Sequence, residues 1–299
     1  MTKLRTWALV VGFFASLSAG SCSENFEVGR DHASANAGTG GAPVNSAGAS
    51  ATAGSAPHIC QVRTCQGKEY ECGNCDDDDG DQLIDSDDPD CTGPCDNTED
   101  SYYGGIPGQN NAPCRQDCYF DEDTGSGNDQ CFWSHECDPY SVAPEYPPSG
   151  EEQCAYQPNV KPPGSNSTCE GLRLMQPTTC LDTCLPVTPN GCDCFGCCEL
   201  PADSGNFVFI GSTTQNVGTC DAAHVDDPSA CRPCTQVRSC VNDCDPCEVC
   251  VGRTAPSADC TAPGASRCPP ATDACGQPGE PACGTNYYCT TGCCVPAPL

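Results

Sequence analysis

Thirty-three cysteines stand among the 299 residues of this chain. Idle thiols in that number do not persist in a reducing cytosol, so they read as the covalent frame of an exported protein. Cys22 stands apart, and the other thirty-two run from Cys60 to Cys294. An even number permits complete pairing into sixteen bridges. The apolar stock is thin: Leu, Ile, Val and Phe make up 31 of the 278 residues after Ser21. A charged chain of that composition is expected to be disordered. Each bridge that closes a short loop stabilises by about 2–4 kcal/mol in the chain-entropy picture. Bridges therefore stand in for a hydrophobic core.

The formal charge is −29. Such a chain repels phosphate backbones and anionic headgroups, which excludes nucleic acid as a partner class. Cations and basic surfaces are its natural counterparts.

Residues 1–21 begin with Lys3 and Arg5, continue with an apolar run from Trp7 to Leu17, and close on Ser18-Ala19-Gly20-Ser21. The run is too short to span a bilayer and reads as a secretion signal. No twin arginine is present, so export is expected through the general secretory route. Leu17-Ser18-Ala19-Gly20-Ser21-Cys22 resembles a bacterial lipobox. In that family the cysteine carries a diacylglycerol and becomes the mature N-terminus. The resemblance makes Cys22 the lipid attachment site and the membrane a partner through that anchor. Ala19 stands where leucine is usual; the alternative is ordinary cleavage at an Ala-x-Ser site. Ser23, rather than Asp, follows the cysteine, which by the same resemblance directs the protein to the outer membrane or cell surface. Residues 22–58 complete the anchor and an Ala/Gly/Ser linker. Its flexible reach is about 35 Å.

The strongest chemical signal runs from Cys72 to Cys91. Twelve acids and no base lie between Asp76 and Asp100. Asp77, Asp79 and Asp81 alternate, so a tight loop can turn their carboxylates to one side. Gly80 supplies the positive-φ turn such a loop needs. Leu83 and Ile84 are expected to plug the loop into whatever core exists, and Asp85 and Asp88 return as further oxygen ligands. Hard oxygens in this number suit Ca²⁺ better than Zn²⁺ or Cu²⁺. An EF-hand register fails, because Gly80 at loop position six would put Cys75 and Ser86 at the first and twelfth positions. The alternative is a solvated acidic loop with no specific ligand.

The stretch resembles the thrombospondin type 3-like Asp-rich calcium motif of bacterial surface proteins. It matches at Cys72, Gly73, Asn74, Asp77, Asp79, Gly80, Asp81, Leu83, Asp85, Asp88, Pro89 and Cys91. Cys75 and Gln82 stand where the motif carries glycine. The resemblance covers about twenty residues, and it implies calcium held by Asp77, Asp79, Asp81, Asp85 and Asp88. The whole chain also resembles, more loosely, the cysteine-rich lipoproteins of myxobacterial type.

Cysteines fall into even groups of six, six, fourteen and six, at residues 60–95, 114–169, 180–260 and 268–294. The organisation expected from them is an acidic calcium-binding module at 59–112, a second acidic module at 113–169, a Cys-rich module at 170–262 and a knottin-like module at 263–299. Asp121, Asp123, Asn128 and Asp129 are a weaker second cation set. The segment 205–211 is the best strand candidate, a short apolar run bounded by glycines. Residues 189–198 read as a turn-rich knot. Helical periodicity is not evident after residue 21.

Several patterns invite other chemistry. Cys231-x-x-Cys234 and Cys244-x-x-Cys247-x-x-Cys250 have zinc or cluster spacing, yet an oxidising compartment favours bridges. Asp123-Thr-Gly and Asp203-Ser-Gly lack the apolar strands of an aspartic protease. His135 and His224 have no nucleophile pattern nearby.

The fold class expected is a set of small disulfide-rich modules, mostly irregular with short β-hairpins and little helix. The function expected is a non-enzymatic, calcium-stabilised scaffold of the cell envelope that meets an extracellular protein or glycan. The alternatives are a secreted hydrolase or inhibitor built on the cysteine modules, and thiol-based metal sequestration.

Overall fold

The computed structural model describes residues 60–65, 67–105, 110–111, 114–121, 129–140, 154–215, 217–245, 247–252, 268–269, 271–275 and 280–296. The expectations for the signal, Cys22, the linker, Asp123, Asn128 and Cys260 fall outside these residues.

Oxidised sulfur organises the described chain. Fifteen bridges join thirty cysteines, and Cys247 is disulfide-bonded as well. The first and last cysteine groups close on themselves. The first pairs Cys60–Cys75, Cys65–Cys95 and Cys72–Cys91. The last pairs Cys268–Cys293, Cys275–Cys289 and Cys283–Cys294. The two middle groups do not close separately. Cys118–Cys184 and Cys131–Cys180 cross the boundary expected between residues 169 and 170. The reason is a shared interior: Tyr119, Trp133, Leu172, Phe195, Val208, Phe209 and Ile210 are buried in one cluster interleaved with half-cystines.

Regular structure is sparse and short, the fold class expected. Residues Asn110–Asn111 (β1), Arg115–Gln116 (β2) and Trp133–Ser134 (β3) form an antiparallel sheet in that order. Two six-residue helices follow, Cys169–Leu174 (α1) and Thr178–Thr183 (α2). Helices of that length are marginal in water. Each is stapled by its own cysteine, Cys169 to Cys137 and Cys180 to Cys131. Under two turns of helix give too few repeats for a 3.6-residue period to show in the sequence.

The strand expected in 205–211 is present as Phe207–Phe209 (β5). It lies between Cys197–Glu199 (β4) and Arg232–Pro233 (β8) in a three-stranded antiparallel sheet. Pro233 sits on an edge strand, where its missing N–H costs no ladder bond. Thr213–Thr214 (β6) and Val217–Gly218 (β7) pair as a small hairpin. Buried Asp193 ties the sheet to the next segment. Its Oδ1 accepts from the Phe195 and Cys197 N–H groups, each at 2.9 Å, and its Oδ2 accepts from Val237 N–H at 2.6 Å.

The C-terminal module is a hairpin of Tyr287–Thr290 (β9) and Cys293–Pro296 (β10). Its two-residue turn uses Thr291 at φ +50° and Gly292 at φ +78°, the left-handed pair that suits the twist of a tight hairpin. Among the described residues no helix is long and apolar enough to cross a membrane.

Candidate metal site

The acidic segment has no regular strand or α-helix to shape it. Its path is set by three bridges, two short 3₁₀ turns at Glu71–Gly73 and Asp85–Asp87, and carboxylates that bond back to the chain. Gly73 is needed for space: a Cβ there would lie 2.5 Å from the Pro94 carbonyl oxygen. Gly80 takes φ +87°, the turn expected. Cys75 at φ +68° and Gln82 at φ +80° are also left-handed. These are the two positions where the resembling motif carries glycine, so this chain places side chains on a backbone suited to none.

The loop turns Asp77, Asp79 and Asp81 together. One oxygen from each lies within 4.8 Å of the others, and all three side chains are exposed. The same carboxylates fix the loop. Gly80 N–H donates to Asp77 Oδ1 at 2.7 Å, Asp81 N–H to Asp79 Oδ1 at 2.9 Å, and Leu83 N–H to Asp81 Oδ1 at 2.7 Å. Asp79 and Asp81 thus commit one oxygen each to these bonds, and Asp77 also accepts from Gln82 N–H at 3.2 Å. Like charges held this closely repel, and a bound cation relieves that repulsion.

Asp88 and Asp85, the other two candidate ligands, are buried and take different surroundings. Asp88 is 3 % exposed. Its Oδ1 accepts from Asp90 N–H at 2.7 Å, while its Oδ2 is buried with no hydrogen-bond partner. Burial, reinforced by the charges of Asp90, Asp81 and Asp79, pushes this carboxyl up to about 7. Asp85 instead receives Cys75 N–H on both oxygens, at 3.3 and 3.2 Å. Burial raises it to about 6, with Glu99 and Asp78 as its charged neighbours. Fully buried Glu99 braces this side, accepting from Asp78 N–H at 2.6 Å and Asp85 N–H at 2.9 Å. The five candidate ligands therefore divide: Asp77, Asp79 and Asp81 converge, Asp88 lies in electrostatic range of the last two, and Asp85 is spent on the Cys75 turn.

Leu83 and Ile84 do not plug a core. They are 37 % and 38 % exposed. Around them the buried side chains are Asp85 and Glu99 instead.

Two carboxylates outside the expected set lie in electrostatic range of one another and of the loop. Asp90 is raised to about 6 by burial, with Asp221, Asp79 and Asp81 as its charged neighbours. Asp90 lay within the acidic run but off its alternation. Asp221, 131 positions away, carried no local signal.

Asp121 and Asp129 of the second cation set come together beside Cys118, which is bonded to Cys184, and two further groupings are of sulfur alone. Cys180, Cys194 and Cys240 place their sulfurs together, as do Cys275, Cys283 and Cys294. All six are half-cystines and hold no thiolate for a metal. The Cys-x-x-Cys runs are oxidised too: Cys231 pairs with Cys220, Cys234 with Cys197, and Cys244 with Cys250. His135 packs edge-on against Phe209 with ring centroids 5.5 Å apart, and burial lowers its pKa to about 3. It is a neutral core ring.

A narrow cleft of about 90 Å³ lies between the acidic module and the C-terminal hairpin, lined by Asp85, Pro94, Tyr288 and Thr290 among others. A broader one of about 620 Å³ is lined by Asn190, Asn242, Asp273 and Tyr287 among others. Neither holds a histidine.

The chain matches no protein-family model, and no curated protein or solved structure is significantly similar to it.

Proposed function

We propose that this chain is a disulfide-rich scaffold of the cell envelope, exported and held through Cys22, whose acidic module is locked by calcium. The observation that carries the calcium reading is the convergence of Asp77, Asp79 and Asp81, with one oxygen of each within 4.8 Å of the others. Three carboxylates on one loop, with Asp88 behind them, offer hard oxygen donors of the kind calcium takes. Affinity belongs to the extracellular range, a dissociation constant of about 10⁻⁴–10⁻³ M. Bridges hold the loops, the cation neutralises the acidic face, and the surface loops meet an extracellular protein or glycan. The oxidised state of the cysteines supports a location outside the cytoplasm. It weighs against thiol-based metal sequestration, which needs free thiolates.

Calorimetric calcium titration of the wild type and of an Asp79→Ala/Asp81→Ala variant tests the site. The wild type should release heat that the variant does not, and equal heats end the reading. Labelling cells with a radioactive fatty acid tests the anchor. Label should enter the wild type and be absent from Cys22→Ser; label in both removes Cys22 from the account.

A further inference from the structure

The acidic loop does not end at its own module. Asp90 Oδ1 accepts a hydrogen bond from Ala222 N–H at 2.6 Å, across 132 positions of sequence. Tyr102 N–H donates to the Cys220 carbonyl at 2.9 Å beside it. The loop that follows Cys220 is closed by the Cys220–Cys231 bridge and presents Asp221. Asp221 is itself oriented: its Oδ1 accepts from Ala223 N–H and His224 N–H, each at 2.9 Å, and from exposed His224 Nδ1 at 2.7 Å. Two segments far apart in sequence thus bring their carboxylates to one place with main-chain bonds holding both.

Two buried polar atoms in electrostatic range of these carboxylates have no hydrogen-bond partner. One is Asp88 Oδ2, on a side chain 3 % exposed that feels the charges of Asp90, Asp81 and Asp79. The other is the hydroxyl of Tyr102, which is 0 % exposed and lies in electrostatic range of Asp90, Asp221 and Asp88. A buried oxygen without a hydrogen-bond partner calls for one, and an ion or water supplies it. The surrounding groups are carboxylates, with His224 ion-paired to Asp221 at 2.7 Å as the one basic neighbour among the described residues, so the net charge still suits a cation.

We propose that Asp90 and Asp221 extend the loop's cation site, so that a bound divalent cation clamps the acidic module to the Cys220–Cys231 loop. The clamp rests on the calcium reading of the loop and assigns it a further task. Oxygens of Asp88 and Asp90 on one side and Asp221 on the other share the ion, directly or through water. The ion then couples two disulfide-closed units that are otherwise joined here by the Asp90 side chain's bond from Ala222 N–H and the Tyr102–Cys220 main-chain bond. Calcium, with its six to eight oxygen ligands and flexible geometry, fits such a shared set.

Full-length oxidised protein is titrated with calcium chloride by calorimetry as wild type, Asp221→Asn and Asp182→Asn, the last carrying its change on α2. Loss of outer-shell partners alone costs metal affinity about 10–100-fold. Asp221→Asn should therefore bind at least about tenfold more weakly, while Asp182→Asn binds as the wild type does. Wild-type affinity in Asp221→Asn overturns the clamp and leaves the loop site standing. No binding by the wild type overturns both. Hydrogen exchange on the wild type gives a reading independent of any variant's folding. Calcium should slow exchange at Ala222 N–H and its neighbours in 220–224, and unchanged exchange there overturns the clamp.

Discussion

Val237 N–H donates to Asp193 Oδ2 at 2.6 Å, joining two fully buried residues 44 positions apart. Asp193 is 0 % exposed and gathers two further N–H donors from Phe195 and Cys197. One carboxylate thus satisfies three backbone groups that no strand ladder reaches. Removing it leaves them buried without partners. Asp193→Ala should destabilise the oxidised protein by about 3 kcal/mol or more, measured by urea unfolding without reductant. A loss below about 1 kcal/mol would mean that water or a rearranged backbone reaches these donors.

Gln82 presents the opposite case, a residue the backbone tolerates poorly. It holds φ +80° in the middle of the acidic loop. A non-glycine residue in that region costs about 1–2 kcal/mol, against which glycine gives back some unfolded-state entropy. Gln82→Gly should raise stability by about 0.5–1 kcal/mol and tighten calcium binding. A thermal scan with and without chelator reads both effects. A lower midpoint under both conditions would show that the Gln82 side chain contributes contacts that outweigh the strain.

The acidic site also sets a pH dependence for the metal-free protein. Asp88 is raised to about 7, and Asp85 and Asp90 to about 6, each mainly by burial. These folded carboxyls hold their protons more tightly than unfolded ones, which titrate near 3.8. As pH rises from about 4 to about 7, the unfolded chain loses protons that the folded chain keeps. Buried His135, lowered to about 3, pulls the other way up to about pH 6.5, but three raised carboxyls outweigh one lowered imidazole, so stability is highest at the acidic end of that window and falls toward neutrality. With chelator present, the thermal midpoint should be higher at about pH 5 than at about pH 7.5, and millimolar calcium should recover the difference at the higher pH. A midpoint that climbs from pH 5 to 7.5 in chelator would contradict the raised carboxyls.

Much of this architecture is legible in the cysteines and aspartates, because both act through local spacing. Gly80 and the alternation of Asp77, Asp79 and Asp81 describe a tight turn, and the turn is there. Gly205 and Gly211 bracket an apolar run, and β5 lies inside it. The closed groups at 60–95 and 268–294 follow from clustering of their cysteines. What the sequence hides is long-range. Cys118 and Cys184 are 66 positions apart, and parity alone cannot show that the middle groups share a core. Asp221 reaches Asp90 only through folding of the intervening chain. α1 and α2 are held by bridges rather than by amphipathic length, so they leave no period to read. Leu83 and Ile84 look like core residues by hydropathy, but the loop buries Asp85 and Asp88 and leaves this pair at the surface.

Oxidised sulfur in place of an oily interior is the claim on which the rest depends. Its direct test is intact mass after alkylation of unreduced, denatured protein, compared with the same material reduced first. The thirty cysteines of the fifteen bridges should take up no alkyl group before reduction and all thirty should react after it. Alkylation at most of them in the unreduced protein would contradict the account.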